Sequence, residues 1–459
     1  MTTAFQAPAE HSSAHTPQVS IWQGFPKYTD RTLTKRAVVW IGQTCNLRCY
    51  FCYFLNRITD PHHPEHDFLS MDKLKSMFHT LRYKYGCTAI DIQGGEPTIY
   101  PQMLELVRYC REIDLIPTII TNAQVLGKPG LAEMYKEAGL YDFLISMHGV
   151  GESHDTAVCR KGAWKKLEAA MERLVEAQVP FRFNCVVTSS TAPTVPEVAR
   201  MAIKYNARAV NYLNYNSFED QTMENRMQQN VMNFAGLKPI MTEACDMLEA
   251  AGIECNLRYW PLCQVEPRHR KNVYDWQQLP YDHHEWDLES WLWTDMKPQR
   301  EKSGPIAPVV HMGKGAWFFN RNFMEKHQPW WMHGPTYAFI QRIISKIQMG
   351  RKGKEQMIRD DAHYRANALL GYMKDESCAK CDAQHICDGF QRGYVRFFGS
   401  HEARPICEGE IIGDPTYYIR HQQKCLDQDK ILEVEKAVNA NIAKHAAERA
   451  AAAPQADVA

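Results

Sequence analysis

Lys35–Gln43 (KRAVVWIGQ) runs directly into Cys45-Asn46-Leu47-Arg48-Cys49-Tyr50-Phe51-Cys52. The core of the first stretch, Ala-Val-Val-Trp-Ile, is apolar and β-branched, which is the pattern of a buried strand. The second stretch spaces three cysteines at x3 and x2. Three thiolates hold three corners of a [4Fe–4S] cube and leave the fourth iron open, where a small molecule can coordinate. A loop leaving a strand is also where α/β barrels build their sites. Short CxxC patterns otherwise signal zinc, so a zinc site and a closed electron-transfer cluster are the competing readings.

Outward from this point, short β-like runs alternate with amphipathic helices up to about residue 240. The predicted strands are Lys35–Gln43, Ala89–Gln93, Pro117–Thr121, Asp142–Ser146, Pro180–Thr188 and Ala209–Asn214. Ser70 caps a helix beginning MDKLKSMFHTL, with Asp72 in its positive first turn. A looser helix spans Pro101–Ile113, and Trp164–Glu176 places Leu167, Met171, Leu174 and Val175 along one face. Six strands, each followed by a helix, predict a parallel sheet with right-handed crossovers, open or closed.

The composition limits the classes of function. Lys+Arg and Asp+Glu both number 53, so there is no electrostatic footprint for nucleic acid or an anionic membrane. No 18-residue apolar run predicts a membrane span, and the polar N-terminus has no apolar h-region of a secretory signal. Fifteen cysteines without an export signal point to reduced, metal-binding thiols in the cytoplasm. Cys87, Cys110, Cys159, Cys185, Cys245 and Cys425 stand alone and read as buried small hydrophobes. Pro61–Asp67, with His62, His63 and His66, reads as a solvated loop.

Gly94-Gly95-Glu96-Pro97 directly follows the second strand. The glycines permit close backbone approach and a sharp turn, and Glu96 offers an acceptor. CxxxCxxC with Phe51 before its last cysteine, followed about 40 residues later by GGEP, resembles the signatures of the radical S-adenosylmethionine (SAM) enzymes. The resemblance implies a partial (β/α)6 TIM-type barrel in which Cys45, Cys49 and Cys52 hold a SAM-binding [4Fe–4S] cluster. It assigns Gly94, Gly95 and Glu96 to the amino group of SAM and Phe51 to the edge of its adenine. Thr121-Asn122 resembles a TN(G) element lining the SAM pocket, with Ala123 in place of the usual glycine. Ser146 falls near the ribose, and Arg160 suits the SAM carboxylate. Asn184 and Val186 fall on the adenine side. His148, Asn211, Asn214 and Asn216 are candidates to face substrate.

A second cysteine set, Cys378, Cys381 and Cys387, has x2 and x5 spacing, which suits zinc or iron–sulfur. With Tyr394 and Phe397-Phe398-Gly399 it resembles the SPASM/twitch extension of radical SAM enzymes. Gln391 stands where the fuller pattern has another cysteine, so one auxiliary [4Fe–4S] cluster is expected. Cys263 is the first choice for its fourth ligand, with Cys255 and Cys407 as alternatives.

The expected organisation is an N-terminal extension (1–33), a barrel (34–245), an aromatic-rich insertion or lid (246–345), an auxiliary cluster domain (346–427) and a helical-to-disordered tail (428–459). Residues 256–340 hold eight of the eleven tryptophans: Trp260, Trp276, Trp286, Trp291, Trp293, Trp317, Trp330 and Trp331. The resemblance implies reductive cleavage of SAM to a 5′-deoxyadenosyl radical that takes hydrogen from substrate. An electron donor such as flavodoxin or ferredoxin is its expected partner. About 34 residues precede the first strand, which favours a small molecule (sugar, lipid or nucleoside) over a peptide. The alternatives are a peptide-modifying maturase, a non-catalytic iron–sulfur electron carrier and a zinc-stabilised binding module.

Overall fold

The computed structural model describes residues 31–52, 68–83, 86–215, 230–282 and 371–424, with parts of 347–367. The strands are β1 (Arg36–Trp40), β2 (Ala89–Gln93), β3 (Ile116–Thr121), β4 (Asp142–Ser146), β5 (Phe181–Val187), β6 (Ala209–Asn214), β7 (Glu254–Arg258) and β8 (Val273–Tyr274). They form one parallel sheet in sequential order. Helices α1 (Met71–Tyr83), α2 (Met103–Glu112), α3 (Leu131–Glu137), α4 (Glu152–Ala157), α5 (Ala163–Glu176), α6 (Val195–Lys204) and α7 (Phe234–Ala250) connect successive strands. The first six strands lie where the apolar runs predicted them. The α/β partial barrel is therefore the fold, and its sheet has eight strands where six were expected.

The helix punctuation follows local chemistry. Ser70 Oγ accepts from Lys73 N at 3.4 Å, and Asn233 Oδ1 accepts from Gly236 N at 2.9 Å at the start of α7. Outward strand residues such as Val39, Ile92, Phe143 and Phe183 pack against buried helix residues such as Leu74, Leu106, Leu167 and Val198 in one core. Among the described residues no helix is long and apolar enough to cross a membrane.

The inward face is polar at one end. Arg36 pairs with Asp91, and Arg182 pairs with Asp142 at 2.6 Å, all nearly inaccessible to solvent. Thr118 Oγ1 also donates to Asp142 Oδ1 at 2.5 Å. The guanidinium of Arg182 holds the Asp142 carboxyl down at about 2 in spite of burial. Such pairs are retained only when every partner is present, because a lone buried charge costs several kcal/mol.

β7 and β8 fall within the stretch assigned to an aromatic insertion. Glu254, Asn256 and Arg258 of β7 are fully or almost fully buried. Their partners come from far along the chain. Lys424 Nζ lies 2.8 Å from Glu254 Oε1, 2.8 Å from Asn256 Oδ1 and 3.1 Å from Asp282 Oδ1, and Arg258 pairs with Asp282. Of the tryptophans in this stretch, Trp260 and Trp276 are buried. Trp260 packs edge-on to Phe234 at 5.2 Å, and Phe234 meets Phe390 and Tyr394. These two tryptophans are core. Trp286, Trp291, Trp293, Trp317, Trp330 and Trp331 lie outside the described residues, as do Pro61–Asp67, Asn216, Cys425 and the 428–459 tail.

Candidate functional site

The cysteine loop leaves β1 and lies against the turn that follows β2. Gly95 N donates to Gly42 O at 2.9 Å, and Glu96 N donates to Thr44 O at 2.8 Å. A Cβ on Gly95 would stand 2.2 Å from Thr44 O and 2.3 Å from Gln43 O. Glycine is required there by the approach of the two loops, apart from any ligand. The far side of the loop is held by Arg48 N to Val158 O at 3.4 Å and by Arg160 Nη1 to Asn46 O at 2.7 Å. Arg160 thus grips the backbone of the cysteine loop.

The three thiols are half-buried and sense one another. Burial pushes Cys45 up to about 11 against the Leu47 N–H, and the Glu96 carboxylate and Cys52 add to the rise. Cys49 is raised by burial, then by Cys52, Cys45 and Cys159. Cys45 Sγ accepts from Leu47 N at 3.4 Å and lies 3.9 Å from Asn122 Nδ2. Clustered thiols with N–H donors aimed at sulfur fit a cationic centre that draws off their protons. Among the described residues no three His, Cys, Asp or Glu side chains close around a single ion; a cube with an iron at each thiolate is wider than one ion.

Glu96 is almost inaccessible to solvent. Its Oε1 accepts from Thr98 N at 2.9 Å, from Thr98 Oγ1 and from Thr121 Oγ1 at 2.6 Å; its Oε2 accepts from Asn122 N at 2.7 Å. Burial raises its carboxyl while these donors oppose the rise. The acid therefore clamps the turn after β2 to the end of β3 and fixes Asn122, whose Nδ2 donates to Asn46 Oδ1 at 2.7 Å. Ala123 has φ +57° and is fully buried. The glycine-like conformation is present, at a cost of roughly 1–2 kcal/mol to a residue with a Cβ.

Near the strand ends the inward residues become partly exposed. Trp40, Gln93, Ile120, Ser146, Asn184, Val186 and Leu213 are the half-buried members of otherwise buried strands. Ser146 and Asn184 are register partners. Asn211 and Asn214 are buried, and Asn211 Oδ1 accepts from Asn256 Nδ2 at 2.9 Å.

Phe51 meets the His148 ring edge-on at 4.7 Å. Neighbouring Tyr50 anchors this corner through its hydroxyl, 2.6 Å from Thr188 Oγ1 and 2.7 Å from Ser190 Oγ. His148 and His154 stack at 6.3 Å. Burial lowers His148 to about 3 and, with the second imidazole, keeps it uncharged; burial lowers His154 to about 4. Because the unfolded chain binds these protons below about 6.5 and the folded one does not, stability falls as pH drops from 6.5 towards 4. Urea midpoints measured at pH 7 and pH 5 are expected to differ, and the difference should shrink in a His148→Gln/His154→Gln protein.

The second cysteine set converges with a distant one. Cys263, Cys378, Cys381 and Cys387 line one cavity together with Lys374, Gly389, Phe390 and Arg404. Ile406 N donates to Cys381 Sγ and Gln264 Nε2 to Cys263 Sγ, both at 3.3 Å. Gly389 has φ +90°, and a Cβ there would meet Met373 O at 2.4 Å. Two cations and several N–H donors around four thiols make a donor set that fits an iron–sulfur cluster. Cys255 and Cys407 do not line the cavity. Cys255 Sγ lies 3.5 Å from Cys245 Sγ in the core, and exposed Cys407 Sγ donates to Lys380 O at 3.3 Å.

Two cysteines expected to be isolated hydrophobes are placed otherwise. Cys159 is exposed with φ +53° and adjoins Cys49, because the tight turn after α4 carries it to the cysteine loop. Cys245 is half of a buried thiol pair. Cys87, Cys110 and Cys185 are buried as expected. Only folding reveals the Glu96 clamp, although the acid in GGEP hinted at it, whereas Cys263, the first choice from sequence, lines the cavity and its alternatives do not.

A family model described as the radical SAM superfamily matches residues 40–202. The GTP 3′,8-cyclase of Listeria monocytogenes is 34% identical over 150 residues, 32% of this chain and 44% of that protein. The AdoMet-dependent heme synthase of Methanosarcina barkeri is 26% identical over 180 residues, 39% of this chain and 50% of that protein. The PqqA peptide cyclase of Bradyrhizobium diazoefficiens is 30% identical over 141 residues, 30% of this chain and 36% of that protein. The chain thus spans half or less of the length of these relatives. With its parallel half-barrel and its cysteine loop set against a GGEP turn, the stretch 40–202 is a radical SAM domain.

Proposed function

We propose that the protein is an enzyme that binds SAM at the C-terminal end of the half-barrel and acts on a substrate held at the same end. The observation that carries this reading is the joining of three mutually sensing thiols to the GGEP turn through backbone bonds at Gly42 and Thr44. When bound, the [4Fe–4S] cluster supplies the electron that cleaves SAM to methionine and a 5′-deoxyadenosyl radical, which abstracts hydrogen from substrate. Cys45, Cys49 and Cys52 hold that cluster. Glu96 and Asn122 shape the wall beside it, Phe51 and Ser146 border the ligand, and Arg160 fixes the loop. The Cys263 set holds an auxiliary cluster, and a flavodoxin or ferredoxin in the cytoplasm is the electron source. The test is anaerobic reconstitution with iron and sulfide, addition of dithionite and SAM, and chromatography of 5′-deoxyadenosine; no product with a filled cluster counts against it.

Glu96→Ala should reduce SAM affinity roughly 10- to 100-fold, about 1.5–3 kcal/mol, because the turn and Asn122 that it clamps beside the ligand lose their anchor. It also strands four donors, so its melting temperature should fall. Glu96→Gln keeps an acceptor at Oε1 and should lose less of both. Titration calorimetry beside thermal melts separates the effects; unchanged SAM affinity in the alanine protein would restrict Glu96 to holding the turn.

A further inference from the structure

His148 follows β4 by two residues, and both faces of its chemistry are fixed by the backbone. Val186 N donates to His148 Nδ1 at 3.1 Å. Nδ1 is therefore an acceptor, and the ring proton resides on Nε2. The ring cannot turn over without losing that bond. The backbone N–H of His148 donates to His154 Nδ1 at 3.3 Å, and the two imidazoles lie parallel within 7°. His154 in turn meets Trp164 edge-on at 6.1 Å. The ring is thus braced from behind, and its burial keeps it uncharged.

The front of the ring faces the corner occupied by Phe51, at 4.7 Å and 74°. Among the described residues His148 Nε2 has no hydrogen-bond partner. A mostly buried, fixed-tautomer N–H beside an aromatic ring suits a flat, neutral group that carries a ring acceptor. SAM offers one such group. Its amino and carboxylate ends are charged and are better matched by charged or backbone groups, whereas adenine is planar, uncharged and rich in acceptor nitrogens.

We propose that His148 is the residue that selects adenine in SAM, donating Nε2–H to one of its ring nitrogens while Phe51 covers an edge of the base. This rests on the reading of the C-terminal end of the half-barrel as a SAM site. The specificity is for an acceptor: a base with C–H at that position leaves the donor unpaired in a desolvated corner.

The test uses the full-length reconstituted protein with SAM and its 1-deaza, 3-deaza and 7-deaza analogues, with affinities from titration calorimetry. One analogue should bind the wild type about tenfold more weakly than SAM, the loss of one hydrogen bond. His148→Phe should bind SAM about tenfold more weakly and no longer distinguish that analogue. His148→Gln, which carries both an acceptor and a donor, should stay within about threefold of wild type. Equal binding of all four ligands by the wild type, or unaltered SAM affinity in a folded His148→Phe, overturns the proposal. If the phenylalanine protein does not fold, the wild-type series decides alone. Failure of the wild type to bind SAM at all counts instead against the proposed function.

Discussion

A Cys49→Ala protein is expected to fold and to form no detectable 5′-deoxyadenosine. Removing one sulfur from a half-buried position leaves a small void, so the melting temperature should change little. The chemical loss is of another order. Cys49 stands between Cys45 and Cys52, each of which raises its thiol, and two remaining thiolates cannot hold three irons of a cube. Iron and sulfide content should fall together, and the product signal should drop by more than a thousandfold. Cys45→Ala and Cys52→Ala should behave alike, whereas Cys110→Ala, at a buried thiol in α2, should keep its iron. Turnover near wild type in Cys49→Ala would remove the basis for the proposed reaction.

Replacing Cys263 by alanine should halve the iron. Two four-iron clusters give about eight irons per chain, and loss of one leaves about four. Cys263 and Cys387 reach one cavity from segments more than 100 residues apart in sequence, so closing the site ties β7 and its following turn to the auxiliary region. Some SAM cleavage should survive in Cys263→Ala, with substrate turnover strongly impaired. Cys378→Ala and Cys387→Ala should match it, and Cys255→Ala and Cys407→Ala should retain full iron, since neither thiol lines the cavity. Zinc at this site in the wild-type protein, or unchanged iron in Cys263→Ala, would refute the assignment.

Where side chains obey local periodicity, the chain is readable. Ala89–Gln93 and Asp142–Ser146 are strands as the apolar runs predict, because their outward faces pack against helices that immediately follow them. β7 escaped the same reading because Glu-Cys-Asn-Leu-Arg offers only two apolar residues, Cys255 and Leu257, between three polar ones that would ordinarily face solvent. Its inward Glu254, Asn256 and Arg258 are neutralised by Lys424 and Asp282, and no local pattern announces a partner 170 residues away. β8 is only two residues long, too short for any period to register.

The candidate site divides along the same line. Cysteine spacing and a GG-acid turn are local devices, so the sequence by itself determined the half-barrel's first six strands, the cysteine loop and the placing of both at strand ends. Only the tertiary structure decided that Glu96 is saturated by Thr98, Thr121 and Asn122, that Cys263 rather than Cys255 or Cys407 meets the second cysteine set, and that His148 is locked as a neutral donor. Each of these depends on pairing between segments distant in sequence. Burial then fixes which partner wins, because a desolvated carboxyl, thiol or imidazole must find its hydrogen bond wherever the fold supplies one.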